Sequence, residues 1–457
     1  MKRALLILIA LCGLNSMGNA QAISQKEVFA SSPLNSSIAL VRSHGSNHSI
    51  VYGVDYTNNP LGDHQLFLCS NISFYVTPPI GPGAPFFNYH IDLPGNIILN
   101  VYDMRVLGNY TYLCGKTQNH EGFIGWVDNA DFFSSSFTFY YVPIPEVSFV
   151  NKMVVYDDYS ANPKAVAIGV HDYTDLYGNH RDYHAIELDN ASLPSASYRH
   201  INLGEYDVLH EVLYSFIYGV IFIEYTVNNN ALAIRKADPS AVVTTSLIQT
   251  LYYYPTGDNE VYSPTHSAID KDSLAVSYLF GKYGTSHFTT RIRYFDLATL
   301  SMNNSQEYAI LDKSEPYDMV YCFNGSHWTP IIIQPDYSGV GPQSYFITLE
   351  PGATTSYSTK YYYYPGETYM SADRFPSGND YVAVGHDLFQ YLQNASFAYT
   401  SPLSCIIQNN MKIGIIPSVQ QYVDETPLSD DPGIGGRQPE SALGNITESA
   451  ITDCYDD

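Results

Sequence analysis

The sequence predicts an all-β chain built from repeated four-stranded antiparallel sheets, and three observations carry that prediction. The first is a strand-like apolar segment that recurs seven times: Ser49–Asp55, Tyr110–Gly115, Ala165–Val170, Val220–Tyr225, Leu274–Leu279, Ile331–Gln334 and Tyr381–His386. Between one mid-segment residue of each (Tyr52, Leu113, Ala167, Phe222, Ala275, Ile331, Val382) the steps are 61, 54, 55, 53, 56 and 51 residues. Spacing this even marks a repeat architecture. The second is that these segments are near-continuous apolar runs, as in Val220-Ile221-Phe222-Ile223 and Ile331-Ile332-Ile333. A strand with one wet face alternates, so a run implies cover on both faces. The third is the lack of an amphipathic helical stretch longer than two turns. Thin sheets, each flanked by two others with no helices between them, describe a seven-bladed β-propeller of four-stranded blades. Two separate β-sandwiches would need a linker, and no Ser/Gly/Pro-rich break lies between Ser31 and Ser418.

In chain order, residues 1–22 read as an export signal. Lys2 and Arg3 form its basic start, Ala4–Leu14 is an apolar run too short to span a bilayer, and Ala20-Gln21-Ala22 gives a small-residue cleavage pattern. Cys12 raises a lipoprotein alternative, against which Leu11 is large where a lipobox wants a small residue. The expected location is outside the cell, in the periplasm or on the surface of a Gram-negative bacterium. Residues 23–418 form the propeller, in which Gln25–Ser31 is expected to pair with the edge of the last blade and so close the ring. The first unit begins near Ile38. The second shows the four-strand plan best: Val101–Leu107, Tyr110–Gly115, Phe123–Asp128 and Phe137–Val142, with hairpin punctuation at Gly108-Asn109 and Gln118–Gly122. The third gives Phe149–Tyr156, Ala165–Val170, Tyr183–Leu188 and Ser197–Leu203; the fourth gives Val208–Phe216, Val220–Tyr225, Ala231–Lys236 and Thr244–Tyr252. The fifth runs through Ser267, Leu274–Leu279, Thr290–Phe295 and Tyr308–Leu311, the sixth through Tyr317–Phe323, Ile331–Gln334, Tyr345–Leu349 and Ser356–Tyr362, and the seventh from Tyr369 to about Ile416. Tyr102-Asp103-Met104, Tyr206-Asp207-Val208 and Tyr317-Asp318-Met319 each open a first strand, which ties the units to a common phase. Residues 419–457 carry nine acids and one base among Asp, Pro, Gly and Ser, the composition of a disordered tail.

The net charge of −24 and the scarcity of Lys and Arg make phosphate backbones and anionic membrane surfaces poor partners, so nucleic acid is excluded as a target class. No segment after the signal is long enough to cross a membrane as a helix, and a monomer is expected. The five later cysteines (Cys69, Cys114, Cys322, Cys405, Cys454) are an odd, scattered set without a C-x-x-C pair, which gives neither a disulfide framework nor a structural zinc site. Tyr is the compositional outlier, with 42 residues against 21 Phe and 2 Trp, and suits both strands and half-wet binding surfaces.

The export segment, the Leu107–Thr117 stretch Leu-Gly-Asn-Tyr-Thr-Tyr-Leu-Cys-Gly-Lys-Thr and the matching blade openings resemble the exported β-propeller repeat proteins of gut Bacteroidales. The resemblance spans most of Ile38–Ser418. It implies the propeller fold and export, and it assigns no activity to any residue.

The sequence completes no familiar catalytic signature. Gly115-Lys116-Thr117 resembles the end of a phosphate loop, but Tyr110 stands where that loop needs Gly. His210-Glu211 opens like a zinc-protease motif, but Tyr214 replaces the second His. There is no G-x-S-x-G elbow, Gly339-Val340-Gly341 lacks the third Gly of a dinucleotide fingerprint, and the Asp-box of sialidase-like propellers does not occur. No cofactor and no metal ligand set are expected. His180 and His184, in a segment read as a loop entering a strand, are too far apart to share an ion, and Asp157-Asp158 and Asp172-x-x-Asp175 match no calcium loop.

What remains is a constellation at the ends of the second strands: Asp55, His171-Asp172, Asp336 and His386-Asp387. In a propeller the loops that follow these strands open on one rim. Here those loops are rich in ring side chains: Tyr56, Tyr173, Tyr177, His180, His184, Tyr283, Tyr337 and Tyr369. Asp at a strand end also serves its own turn, which is the plain structural role for these residues. The functional expectation is a binding module for a glycan or a protein, with His171, Asp172, Tyr177, His184, Tyr283, Asp336, Tyr337, His386 and Asp387 as the ligand-binding set. Tyr faces stack on sugar rings, and Asp and His bond hydroxyls. A glycoside hydrolase or lyase on the same scaffold is the competing expectation.

Overall fold

In a computed structural model the chain is all-β, and the strands among its described residues form four-stranded antiparallel sheets, seven in number there. The residues described are 24–27, 36–44, 48–55, 62–70, 89–134, 136–157, 163–189, 196–205, 207–226, 231–237, 247–253, 260–282, 288–299, 301–312, 318–323, 328–336, 343–349, 359–365, 367–374, 380–387 and 411–417. The expected signal (1–22), the acidic tail (419–457), Tyr56, Tyr283 and Tyr337 lie outside them.

Strand β1 is Ser24–Glu27. Sheet I follows with β2 (Ser36–His44), β3 (His48–Asp55), β4 (Asp63–Ser70) and β5 (Tyr89–Asp92). Sheet II holds β6 (Ile98–Leu107), β7 (Tyr110–Thr117), β8 (Gly122–Asp128) and β9 (Tyr140–Ile144), with a short 3-10 turn at Asn129–Phe133. Sheet III holds β10 (Phe149–Asp157), β11 (Pro163–Asp175), β12 (Gly178–Asp189) and β13 (Ser197–Gly204). Sheet IV holds β14 (Asp207–Ser215), β15 (Gly219–Thr226), β16 (Ala231–Ala237) and β17 (Leu247–Tyr253). Sheet V holds β18 (Glu260–Asp270), β19 (Ser273–Lys282), β20 (Phe288–Asp296) and β21 (Ser301–Asp312). Sheet VI holds β22 (Asp318–Phe323), β23 (Trp328–Asp336), β24 (Gln343–Leu349) and β25 (Thr359–Pro365). Sheet VII is the exception in order: β26 (Glu367–Arg374), β27 (Asp380–Asp387) and β28 (Met411–Pro417) are completed at the edge by β1, with Lys26 opposite Ile413.

The apolar runs have the physical cause inferred for them. In β15, Val220–Ile223 is buried on both faces. The odd and even residues of one sheet feed two different cores. Tyr112, Cys114, Ile124 and Trp126 of sheet II pack with Ala165, Ala167, Ile186 and Leu188 of sheet III. The opposite face of sheet III packs Val154, Val166, Ile168 and Ala185 against Leu209, Val212, Val220 and Phe222 of sheet IV. Corresponding cores join sheets I and II and sheets IV and V. Each large side chain buried this way is worth about 1.5–3 kcal/mol, and no single four-stranded sheet hides both faces alone.

First strands pack on first strands: β2 on β6, β6 on β10, β10 on β14, β14 on β18, β18 on β22, β22 on β26, and β26 on β2. Six of the seven carry a register shift, at Ile38/Leu40, Val101/Asp103, Val150/Lys152, Leu209/Glu211, Pro264/Ser267 and Tyr369/Ser371. A bulge inserts a residue and re-aims the side chain that follows it. Those following residues are Leu40, Asp103, Lys152, Glu211, Ser267 and Ser371, and the corresponding place in β22 is Asp318. Gly115 on β7 faces this bulge: a Cβ there would stand 1.9 Å from the carbonyl oxygen of Asn100.

Three expectations need correction. The fourth strand of sheet II begins at Tyr140 and continues through Pro143 to Ile144, because Pro sits on the sheet's outer edge where its missing N–H costs no ladder bond. Tyr206-Asp207-Val208 does not share the phase of the other two openings. Asp207 pairs with Thr226 at the strand start, and the residue equivalent to Asp103 and Asp318 is Glu211. Finally, His171-Asp172 does not end β11, which runs on to Asp175.

Candidate functional site

Among the described residues, β11 has no strand partner on the β10 side beyond Val170, and β12 pairs with β13 only from Tyr183 onward. Residues 171–182 therefore form a two-stranded arm that projects past the four-stranded sheet. The segment read as a loop around His180 is strand, paired residue for residue with β11; it has a loop's sequence because both its faces carry polar and ring residues and neither offers an apolar stripe. The arm turns at Leu176-Tyr177, with Gly178 at φ +136°, a conformation suited to Gly. The Asp175 carboxylate accepts from the Tyr177 N–H at 2.6 Å and fixes the turn. At the tip Leu176 is 99% and Tyr177 91% exposed.

The two faces of the arm differ. One carries Asp172 and Arg181, joined by two hydrogen bonds of 2.6 and 3.1 Å, with the guanidinium 6.0 Å from the centre of the Phe149 ring. Asp172 is thus turned away from His171 and does not share its surface, since successive strand residues point to opposite sides. Its main chain exchanges hydrogen bonds with the Ser148 hydroxyl, which anchors the arm's base.

The other face is a continuous row of rings and carboxylates. Tyr173 stacks on His180 at 5.2 Å. Both nitrogens of His180 stand 3.0 Å from carboxylates, Nδ1 from Glu205 and Nε2 from Asp175. Only an imidazolium donates to both. The hydrogen bond to Glu205, joined by that to Asp175, raises the His180 pKa above 6.5. The Tyr177 N–H holds the Asp175 carboxyl below its ordinary range.

Toward the sheet the row continues as His171, His184 and His200, one from each of β11, β12 and β13, with ring centres 6.4 and 5.4 Å apart. Their Nδ1 atoms are buried without a hydrogen-bond partner among the described residues. Burial, then the neighbouring His200 and His171, pushes the pKa of His184 down to about 4. Tyr198 completes the row, its hydroxyl donating to Glu146 at 2.7 Å, and Glu146 lies 3.9 Å from His200. Among the described residues no three His, Cys, Asp or Glu side chains are arranged to hold a metal ion.

Of the expected set, the structure brings His171 and His184 together and places Tyr177 at the arm's tip. Asp336 and Asp387 end β23 and β27, as Asp55 ends β3, and His386 pairs with Thr368 and Met411.

The sequence reading missed a second concentration of chemistry, where the first strands meet. Asp103 accepts from the Arg42 side chain at 2.8 Å, from the N–H of Met104 at 2.8 Å and from the N–H of Met153 in the next sheet at 3.0 Å, and pairs with Arg105 at 3.1 Å. Burial alone would raise its pKa; Arg105 and Arg42 outweigh that and hold it low. Arg42 and Arg105 also donate to carbonyls one sheet on, those of Met104 and Met153. Asp373 accepts from the N–H and hydroxyl of Ser43, which joins sheet VII to sheet I, and Ser371 donates to Asp318 at 3.3 Å. The residues surround a cavity of about 170 Å³ lined by all seven first strands. The matching Tyr-Asp-Met triplets were its signal, because both Asp103 and Asp318 bond the N–H of the Met that follows.

No family model and no curated protein matches the chain. Among solved structures it is similar to the β-propeller domain of the trilobed protease from Pyrococcus furiosus, at 8% identity and a TM-score of 0.44, covering 77% of this chain and 90% of that one. It is also similar to an exo-β-1,3-galactanase from Clostridium thermocellum, at 14% identity and a TM-score of 0.35, covering 62% and 68%. A third similarity is to the acylaminoacyl peptidase of Pyrococcus horikoshii, at 9% identity and a TM-score of 0.42, covering 78% of this chain and 50% of that one.

Proposed function

We propose that this chain is an exported, closed seven-bladed β-propeller that works as a binding module, with a protein partner engaged by the arm of sheet III. Closure is supported by the packing of β26 on β2 and the pairing of β1 with β28. Export is supported by the basic, apolar and small-residue pattern of residues 1–22. One observation carries the binding role: an arm stiffened by its own ladder and by the Asp172–Arg181 pair holds Leu176 and Tyr177 almost wholly in water. Ordering such a tip costs little on binding, because its backbone is already fixed. Burying a Leu and a Tyr in a partner's groove then supplies the affinity.

A glycan is the second reading, favoured by the Tyr173–His180 stack beside Asp175 and Asp182. The hydrolase alternative fits the row less well. Asp175 is held ionised and His180 grips both Asp175 and Glu205, whereas a general acid for glycoside cleavage needs a carboxyl with a raised pKa. The test is an array of extracellular proteins and an array of glycans, each probed with the wild type, Leu176→Ser/Tyr177→Ser and Tyr173→Ala. A protein hit weakened at least about tenfold by the tip variant, equivalent to about 1.4 kcal/mol, is expected. Protein binding that the tip variant leaves intact refutes the tip as the site, and glycan binding lost only in Tyr173→Ala moves the site to the stack.

A further inference from the structure

We propose that the cavity among the first strands binds a small zwitterion of amino-acid size, its carboxylate toward Lys152 and Arg105 and its ammonium toward Glu211 and Ser267. The first ground is charge distribution. Sheets I to III contribute Arg42, Arg105 and Lys152, while sheets IV, VI and VII contribute the carboxylates Glu211, Asp318 and Asp373, together with Arg374, whose guanidinium lies 3.9 Å from Asp270. Asp103 belongs to the cationic side but is saturated by Arg42, Arg105 and two N–H groups. Around Lys152 and Glu211 the cavity therefore presents a cation beside a carboxylate, which is the complement of a molecule that carries both charges.

The second ground is that the charged groups beside one another in it are ion-paired but not hydrogen-bonded to each other. Lys152 Nζ and Glu211 Oε2 are 3.9 Å apart and His266 Nδ1 is 3.8 Å from the same oxygen, all beyond hydrogen-bond distance. Among the described residues neither Lys152 nor Glu211 makes a hydrogen bond through its charged atoms. The Glu211 side chain is 6% exposed, and burial pushes its pKa up to about 6. Ser267, also 6% exposed, lines the cavity with a hydroxyl that has no hydrogen-bond partner among the described residues. Buried charges and hydroxyls left unmade are costly. A ligand carboxylate accepting from Lys152 and an ammonium donating to Glu211 and Ser267 would relieve all three at once.

The third ground is size and access. A cavity of about 170 Å³ takes several water-sized groups but lies below the 300–1,000 Å³ typical of drug-sized ligands. Its rim is open at Lys152, whose side chain is 23% exposed. The site is separate from the arm, so the two readings stand or fall apart.

The test is calorimetry and thermal unfolding of the full chain with glycine, alanine and serine as zwitterions, N-acetylalanine as the anion alone and alanine methyl ester as the cation alone. The zwitterions are expected to bind and raise Tm by mass action, with each single-charge analogue at least about tenfold weaker, the loss of one buried charged contact. Lys152→Met and Glu211→Gln should each weaken alanine binding about tenfold or more. Ser267→Ala, which removes one unbonded oxygen and leaves the ion pairs alone, keeps the fold and should weaken binding severalfold. Failure of every zwitterion to bind the folded wild type overturns the proposal. So does equal affinity for alanine and N-acetylalanine, or unchanged affinity in folded Lys152→Met and Ser267→Ala.

Discussion

His180 and His184 lie four residues apart on one strand and face the same side of the arm, yet their surroundings move their protons in opposite directions. Carboxylates on both nitrogens favour the His180 imidazolium; burial beside two other imidazoles disfavours that of His184. Histidine-resolved NMR should show His180 titrating above 6.5 and His184 near 4. The reverse order would remove the chemical description of this face. The linkage has a defined sign. Unfolded His184 takes its proton near 6.5 and the folded residue only near 4, so the unfolded chain binds more protons in that window and stability falls as pH drops through it. For His180 the sense is opposite: its extra stability is present below 6.5 and is lost as pH rises through its folded pKa. His184→Gln should flatten the fall in Tm between about pH 6.5 and 4; an unchanged slope would show that His184 is not the group responsible. The residue types at 171, 177 and 184 were legible as binding candidates. That Asp172 faces the other way was not, because strand alternation is visible only once the segment is known to be strand.

At the scale of the element, the bulged first strand sets the site. One inserted residue turns Asp103, Lys152, Glu211, Ser267 and Ser371 toward the same centre. On β7, Gly115 is the space that the bulge of β6 needs. Gly115→Ala forces a Cβ onto the Asn100 carbonyl, so it should destabilise by at least the cost of overpacking, about 1–3 kcal/mol, read as a drop in denaturant midpoint. A variant as stable as the wild type would place the bulge elsewhere. The strands and hairpin turns were readable because period and turn chemistry are local: the Gly108 turn has φ +55° where Gly is at home. The arm was unreadable for the converse reason. A ladder that protrudes past its sheet buries no face, so its sequence carries a loop's polarity. Bulges leave no pattern of their own, and the register shift in β14 puts Glu211, not Asp207, at the position that Asp103 holds in β6.

Over the whole molecule, thin sheets bury each other and are laced where their first strands meet. Arg42 is the best single probe, since it reaches Met104, Asp103 and Ser371 in the two sheets on either side of its own. Arg42→Met leaves Asp103 with a buried charge less well matched, and should cost about 3–5 kcal/mol in unfolding free energy; a loss within about 0.5 kcal/mol, the range of a surface change, would remove the lacing from the argument. The repeat length was legible because every sheet spends about the same number of residues on four strands and their turns. The lacing was not, because its partners come from sheets separated by one or more repeats.

The claim on which the rest depends is that the chain's first strand finishes its last sheet and so closes the ring. In a background freed of the native cysteines, cysteines at the facing pairs Gln25/Gly414 and Lys26/Ile413 should form an intrachain disulfide under mild oxidation, found as a linked peptide by mass spectrometry, and should raise Tm. Linkage in neither pair, or linkage only between molecules, would mean that the first and last segments do not meet and that the sheets do not form a closed ring.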